Sequence, residues 1–250
     1  MTSQGGAVLP IPERAMLPIP ERVRTLAATA SVAKLSVDGA PSPARGGVDE
    51  RGRPVLLVLP GEPLHGLGLR ADAVVAVNLT TMRQLGDVTH PRGLIEVQGW
   101  AEAVPEEEAR AAAVAVAAHS ADESLFEALE RFGERGAPRL LRVDVGQVVY
   151  LTGQESGVLD ADDYLGSRPD PLAEIAERVL AHVNSSHRVQ LTAGVTRQLG
   201  ETPGDVWLWE LDRFGATVRV DESLVRFPWP TPAKSGLCLE TALRGLLCTC

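Results

Sequence analysis

Hydrophobic and polar positions change period several times along this chain, and each change marks a predicted element. Val23, Leu26 and Ala27 fall on one face of a short helix that starts at Pro20 or Glu21 and ends before Ser31. From Ser31 the period becomes two, with Ala33, Leu35 and Val37 alternating against Val32, Lys34 and Ser36, and Asp38-Gly39 supplies a hairpin turn. Pro54 to Leu59 and Ala73 to Leu79 are near-continuous apolar runs of strand length, which predict buried strands. Between them lies a short helix or turn with one histidine, His65. Leu94 to Val104 alternates imperfectly around Gly99, as a long strand with a bulge does.

Pro105-Glu106-Glu107-Glu108 opens an Ala-rich helix, with acid in the first turn where the helix dipole favours it. A second helix over Ser124 to Phe132 precedes a returning strand, Arg139 to Leu151. Strands joined by short turns predict an antiparallel sheet or barrel rather than an alternating parallel one. Gly153 to Ser167, rich in Gly, Ser and Asp, reads as a boundary. Beyond it Asp170 is placed to cap a helix with Pro171 in its first position, and Leu172, Ile175, Ala176, Val179, Leu180 and Val183 form an amphipathic stripe. A helix over Ser186 to Leu199, three strands (Asp205 to Leu211, Ala216 to Val220, Ser223 to Phe227) and a last helix capped by Ser235 follow. The predicted class is α+β: an antiparallel barrel-like domain over 21–155 and a small α-α-β-β-β-α domain over 168–250. Ahead of both, Leu-Pro-Ile-Pro-Glu-Arg occurs at 9–14 and again at 17–22, and residues 1–20 read as a flexible Pro-rich arm.

Composition narrows the function classes. Lys plus Arg number 24 and Asp plus Glu 33, a net charge of -9, so a phosphate-tracking surface for nucleic acid is not expected. The N-terminus lacks a basic segment followed by an apolar one, and no apolar run approaches the roughly 20 residues of a membrane span. A cytoplasmic protein without a membrane partner is expected, its odd set of three cysteines (Cys238, Cys248, Cys250) reduced. No Gly-x-Ser-x-Gly, phosphate-binding Gly-rich loop or Gly-x-Gly-x-x-Gly follows a predicted strand. Arg92, Arg139, Arg142 and Arg168 are candidates for anionic cofactor groups. His182 and His187 are five residues apart, so on an unbroken helix their rings diverge by about 140° and a shared metal is disfavoured. A break at Asn184-Ser185 would reorient them, and capping of a helix end is the plainer role. Cys248-Thr249-Cys250 offers thiolates to a soft metal or haem iron.

Several strings resemble the haem-utilisation (HugZ-type) proteins of the pyridoxamine-phosphate-oxidase-like, FMN-binding split-barrel superfamily. They are Ala33-Lys34-Leu35-Ser36-Val37-Asp38-Gly39-Ala40-Pro41, Pro63-Leu64-His65 leading into the Ala73 strand, and Pro91-Arg92-Gly93-Leu94-Ile95-Glu96-Val97-Gln98-Gly99. In the second domain they are His182-Val183-Asn184-Ser185-Ser186-His187, Leu211-Asp212-Arg213-Phe214-Gly215 and Arg226-Phe227-Pro228. The resemblance implies an antiparallel split β-barrel, a homodimer and a cofactor-sized cleft at its interface. Haem is the implied cofactor, with His65, His187 or Cys248 as iron ligand and Arg92 and His182 near it. FMN is the alternative, its phosphate against Arg92 and Thr80 or Thr81, and a cofactor-free binding protein is a third reading. Ser186 stands where the family has Asp, and no histidine follows His187, where haem-degrading relatives carry an axial one. Haem binding is therefore expected ahead of haem degradation.

Overall fold

The computed structural model describes residues 16–67 and 73–247. The chain divides into two units, with the change falling between Pro169 and Asp170. Of the expected Pro-rich arm, residues 1–15 lie outside the described residues, and Ile19 and Pro20 already belong to a helix.

In the unit Ile19–Pro169, helix α1 (Ile19–Ala28) buries Val23, Leu26 and Ala27. Then come β1 (Ser31–Val37), β2 (Ala40–Ser42), β3 (Gly46–Val48), β4 (Pro54–Val58) and α2 (Pro63–Leu67). They are followed by β5 (Val74–Leu85), β6 (Val88–Ala103), a 3-10 turn (Glu106–Glu108), α3 (Ala109–Ala117) and α4 (Ser124–Glu130). Last are β7 (Arg139–Thr152), β8 (Ser156–Asp160) and α5 (Ala161–Gly166). All strand pairs in the sheet are antiparallel, in the order β2-β1-β5-β6-β7-β4-β3, with β8 beside β7. The turn between β1 and β2 has positive φ at Asp38 (47°) and Gly39 (81°), the conformation that matches strand twist in a two-residue hairpin.

The α+β class and antiparallel sheet are as expected, but the sheet is not closed into a barrel. Its two edges, β2 and β3, are joined by residues 43–45 alone, so the chain from Ser42 to Gly46 spans at most about 14 Å and the sheet must curl to bring its edges that close. Pro41 and Pro43 remove two donors from this stretch, which explains why the ladder stops short of closure. Strand β4 is buried on both faces: Leu56 and Val58 join the core inside the sheet, while Val55 and Leu57 pack with α3 and α4. That double burial explains its continuous apolar run. The small residues have a reason as well, since a Cβ on Gly47 of β3 would lie 1.9 Å from the carbonyl oxygen of Ala115 in α3.

The stretch read as a boundary instead folds. Asp160 accepts the N–H of Asp163 (2.8 Å) and caps α5. Tyr164 is fully buried, with its hydroxyl donating to the Gly52 carbonyl (2.8 Å) and the Arg24 guanidinium 5.0 Å from its ring centre.

In the second unit, α6 (Ala173–Ser186) and α7 (Arg188–Leu199) precede β9 (Val206–Asp212), β10 (Gly215–Val220), β11 (Ser223–Pro228) and α8 (Gly236–Leu247). The three strands form one antiparallel sheet in the order β11-β10-β9. Helix α6 buries Ala176, Leu180 and Val183, the predicted stripe. Asp170 serves one turn earlier than expected: its carboxylate accepts the Leu172 and Arg213 N–H groups (2.9 and 3.1 Å), and α6 itself starts at Ala173. Ser235 accepts the Cys238 N–H (3.3 Å), as a helix N-cap does.

Candidate functional site

The β5–β6 hairpin is longer than its hydrophobic pattern suggested, and its extension is polar. The register runs from Val74 opposite Trp100 to Leu85 opposite Val88, broken where Thr81 faces Gly93 but Met82 faces Pro91. Arg92 is the extra residue of that bulge, which also accommodates a proline within a paired strand. The bulge interrupts the alternation, and both Arg92 and Gly93 are buried. Thr81, Arg83 and Arg92 are 5, 7 and 7% exposed, and Arg83 faces His90 directly across the hairpin. The Thr81 hydroxyl donates to the Gly93 carbonyl (3.3 Å). Gly93 is paired on its other side with Thr152, whose hydroxyl donates to the Glu155 carbonyl (3.1 Å). The Glu155 carboxylate meets the buried Arg22 guanidinium at 3.1 Å. Burial and then Glu155 push the nearby Tyr150 phenol above its ordinary pKa. Hydroxyl-bearing and guanidinium side chains thus collect at one end of the sheet, a donor set suited to phosphate or carboxylate groups.

The other candidates lie elsewhere. His65, half-buried on α2, has Nε2 2.8 Å from the Ala137 carbonyl, so Nε2 donates and the ring's lone pair is on Nδ1. Thr80 faces Leu94, on the strand face opposite to Thr81. Arg142 is engaged by Glu102 and Glu108 (2.6 and 2.7 Å) at a groove of about 690 Å³ between α3 and the β3–β4 edge. Cys238 is a free, exposed thiol, with its pKa lowered by hydrogen bonding to the Ser235 hydroxyl. Cys248 and Cys250 lie outside the described residues.

His182 and His187 do meet. Helix α6 ends at His187, whose φ of -128° and ψ of 23° break the helical path, and the two Nε2 atoms lie 3.2 Å apart. Between them the Asn184 amide bonds Leu208 twice, donating to its carbonyl and accepting its N–H, each at 2.9 Å. The other two strings singled out in the second unit also meet each other, since Asp212 Oδ1 accepts the Phe214 and Gly215 N–H groups (2.7 and 3.1 Å) and Arg226 Nη2 (2.7 Å). Asn184, Asp212 and Arg226 therefore act as brackets of the second unit. Arg83 and His90 were missed in the sequence because only the register places them beside Arg92.

No family model and no curated protein matches this chain. Among solved structures it resembles a heme-binding protein from Mycobacterium smegmatis, at 23% identity and a TM-score of 0.61, over 96% of this chain and 98% of that one. At this identity the likeness shows the fold. A protein of unknown function from Agrobacterium tumefaciens matches at 18% identity and a TM-score of 0.39, over 95% of this chain and 100% of its own. An FAD- and heme-binding protein from M. smegmatis matches at 17% identity and 0.31, over 56% of this chain and 80% of its own. Those two scores are too low to bear on the argument. Among the described residues no helix is long and apolar enough to cross a membrane, and no three metal-ligating side chains converge.

Proposed function

We propose that this chain binds haem as a homodimer, with Arg83 and Arg92 holding the propionates. The observation that carries the reading is the bulge in β6 that turns Arg92 inward on the hairpin that also buries Arg83. A fold shared along nearly the whole chain with a heme-binding protein supports it. Two carboxylate arms suit two guanidiniums, because each planar fork pairs with a carboxylate through parallel N–H bonds. The imidazole nearest in register is His90, opposite Arg83, whereas His65 bonds Ala137 beside the start of β7, the strand end away from Gly93 and Thr152, so it would ligate iron, through Nδ1, only from the other copy. Bound haem would supply one-electron chemistry at its iron. A second reading, FMN, is favoured by the Thr81 hydroxyl beside the same bulge, where it would join Arg92 on a phosphate.

The test is the visible spectrum of the purified protein before and after hemin is added. Haem binding predicts a sharp Soret band that saturates at fixed stoichiometry, with affinity falling roughly tenfold or more in Arg83→Ala and in Arg92→Ala. Substituting His65, His90, His187 and Cys248 in turn identifies the iron ligand as the position whose loss shifts the band. A flavin spectrum would replace haem by FMN, and a Soret response indifferent to both arginines would remove them from the site.

A further inference from the structure

We propose that the elbow between α6 and α7 is a site for a zinc-like divalent cation, held by Nε2 of His182 and Nε2 of His187. The site uses none of Arg83, Arg92, His65 and His90, on which the haem reading rests, and shares with it only His187 among the positions tested there for iron. Its geometry is already that of a chelate. Two metal–nitrogen bonds of about 2.05 Å whose ends lie 3.2 Å apart enclose about 103°, close to the tetrahedral angle zinc adopts. The rings do not stack, their centres being 4.9 Å apart and their planes at 80°, which leaves the space beside the two Nε2 atoms open. In the cation's absence one Nε2–H donates to the other ring's lone pair. When the cation binds, the donor ring moves that proton to its own Nδ1 and both Nε2 lone pairs face the metal. Two metal–water bonds of the hydrated cation break as the two metal–nitrogen bonds form, and the displaced waters pass to solvent.

The backbone that carries the two imidazoles is fixed on both sides. Asn184 is clamped to Leu208 by its paired bonds, and the His187 N–H donates to the Val183 carbonyl (2.8 Å) while its carbonyl accepts from Leu191 (2.9 Å). Val183 and Leu191 are buried in the core of the unit. The neighbouring Arg188 is held over the Trp207 ring at 3.5 Å and paired with Asp205 at 2.6 Å, so its charge is balanced beside the site. Spacing set before the metal arrives removes much of the ordering cost of a two-histidine chelate. His182 is exposed and His187 half-buried, which leaves the remaining coordination positions to water.

Zinc chloride titrated calorimetrically into the full chain, with Cys238, Cys248 and Cys250 changed to Ser so that thiols do not compete, is expected to bind one ion per chain. His182→Ala and His187→Ala should each weaken that binding roughly tenfold or more. In the unmodified chain zinc should also move the imidazole nitrogen resonances of both histidines, a readout independent of the cysteine substitutions. Zinc uptake equally strong in both histidine variants, or unmoved imidazole resonances at saturating zinc, overturns the site.

Discussion

Arg226 and Asp212 hold each other inside the second unit, with side chains 2 and 8% exposed and 2.7 Å between Nη2 and Oδ1. Burial pushes the Asp212 carboxyl above its ordinary value, and the Arg226 charge and hydrogen bond only partly pull it back. A carboxyl raised in the folded state stabilises the fold while protonated, and that contribution is lost as pH rises through its folded pKa. Removing the cation raises the folded value further. Arg226→Ala should therefore cost about 3–5 kcal/mol near neutral pH, because it leaves a buried carboxylate without its partner. The deficit should shrink as pH falls toward the ordinary carboxylate range and Asp212 takes up its proton. Urea denaturation of both proteins at neutral and mildly acidic pH checks this, and a deficit that grew on acidification would reverse the assignment of burial as the dominant influence.

Strands and helices show which features the hydrophobic pattern discloses and which it hides. The imperfection at Gly99 marks a real register shift between Gln98 and Gly99, and a Cβ there would lie 1.9 Å from the Asp144 carbonyl oxygen of β7. Gly99→Ala is expected to cost about 3 kcal/mol or more in thermal or urea unfolding, since backbone must shift to admit it. Gly245 lies on the exposed side of α8 with open space around its Cβ position, so Gly245→Ala should stabilise by roughly 0.5–1 kcal/mol. Equal effects at the two sites would deny that close approach governs the first. Strand β4 and the α6 stripe were legible because each carries its burial in its own sequence. The β8–α5 segment was not, because its core contribution rests on Leu159 and Tyr164 within a run of Gly, Ser and Asp. Asp160 three residues before Asp163 was the available signal. The basic end of the β5–β6 hairpin was hidden for a different reason: Arg83, His90 and Arg92 are separated in sequence and joined only by register. At the α6–α7 elbow helical periodicity predicted divergence of the two histidines, and one non-helical residue, His187, reverses it.

At the scale of the molecule the feature to explain is the outer face of β5, β6, β7 and β8. Val74 faces Trp100, Leu94 faces Leu151 and Val149 faces Val158, and each of the six is at least 36% exposed. Between these pairs, Gln147 donates to Gln98 and Gln98 to Glu96, so part of the polar hydrogen-bonding capacity on this face is met within the face itself. An apolar sheet surface with partly self-satisfied polar groups suits burial against protein better than exposure to water. A second copy of the chain is the occupant in the homodimer proposed above. Light scattering should then report twice 26.6 kDa for the native chain. Leu151→Glu places a charge beside Leu94 on the apolar face, where dimerisation would strand it against its symmetry mate or apolar neighbours. Because Leu151 is already half-exposed, the substitution should leave the folded monomer within about 0.5 kcal/mol of the native stability while the mass falls to that of a single chain. A native protein that scatters as a monomer, or a variant that keeps the doubled mass, would move the partner surface off this sheet. Haem affinity measured on the same variant then separates the two proposals, since Arg83 and Arg92 lie on the opposite, buried face of the hairpin and their contacts to the propionates do not pass through Leu151.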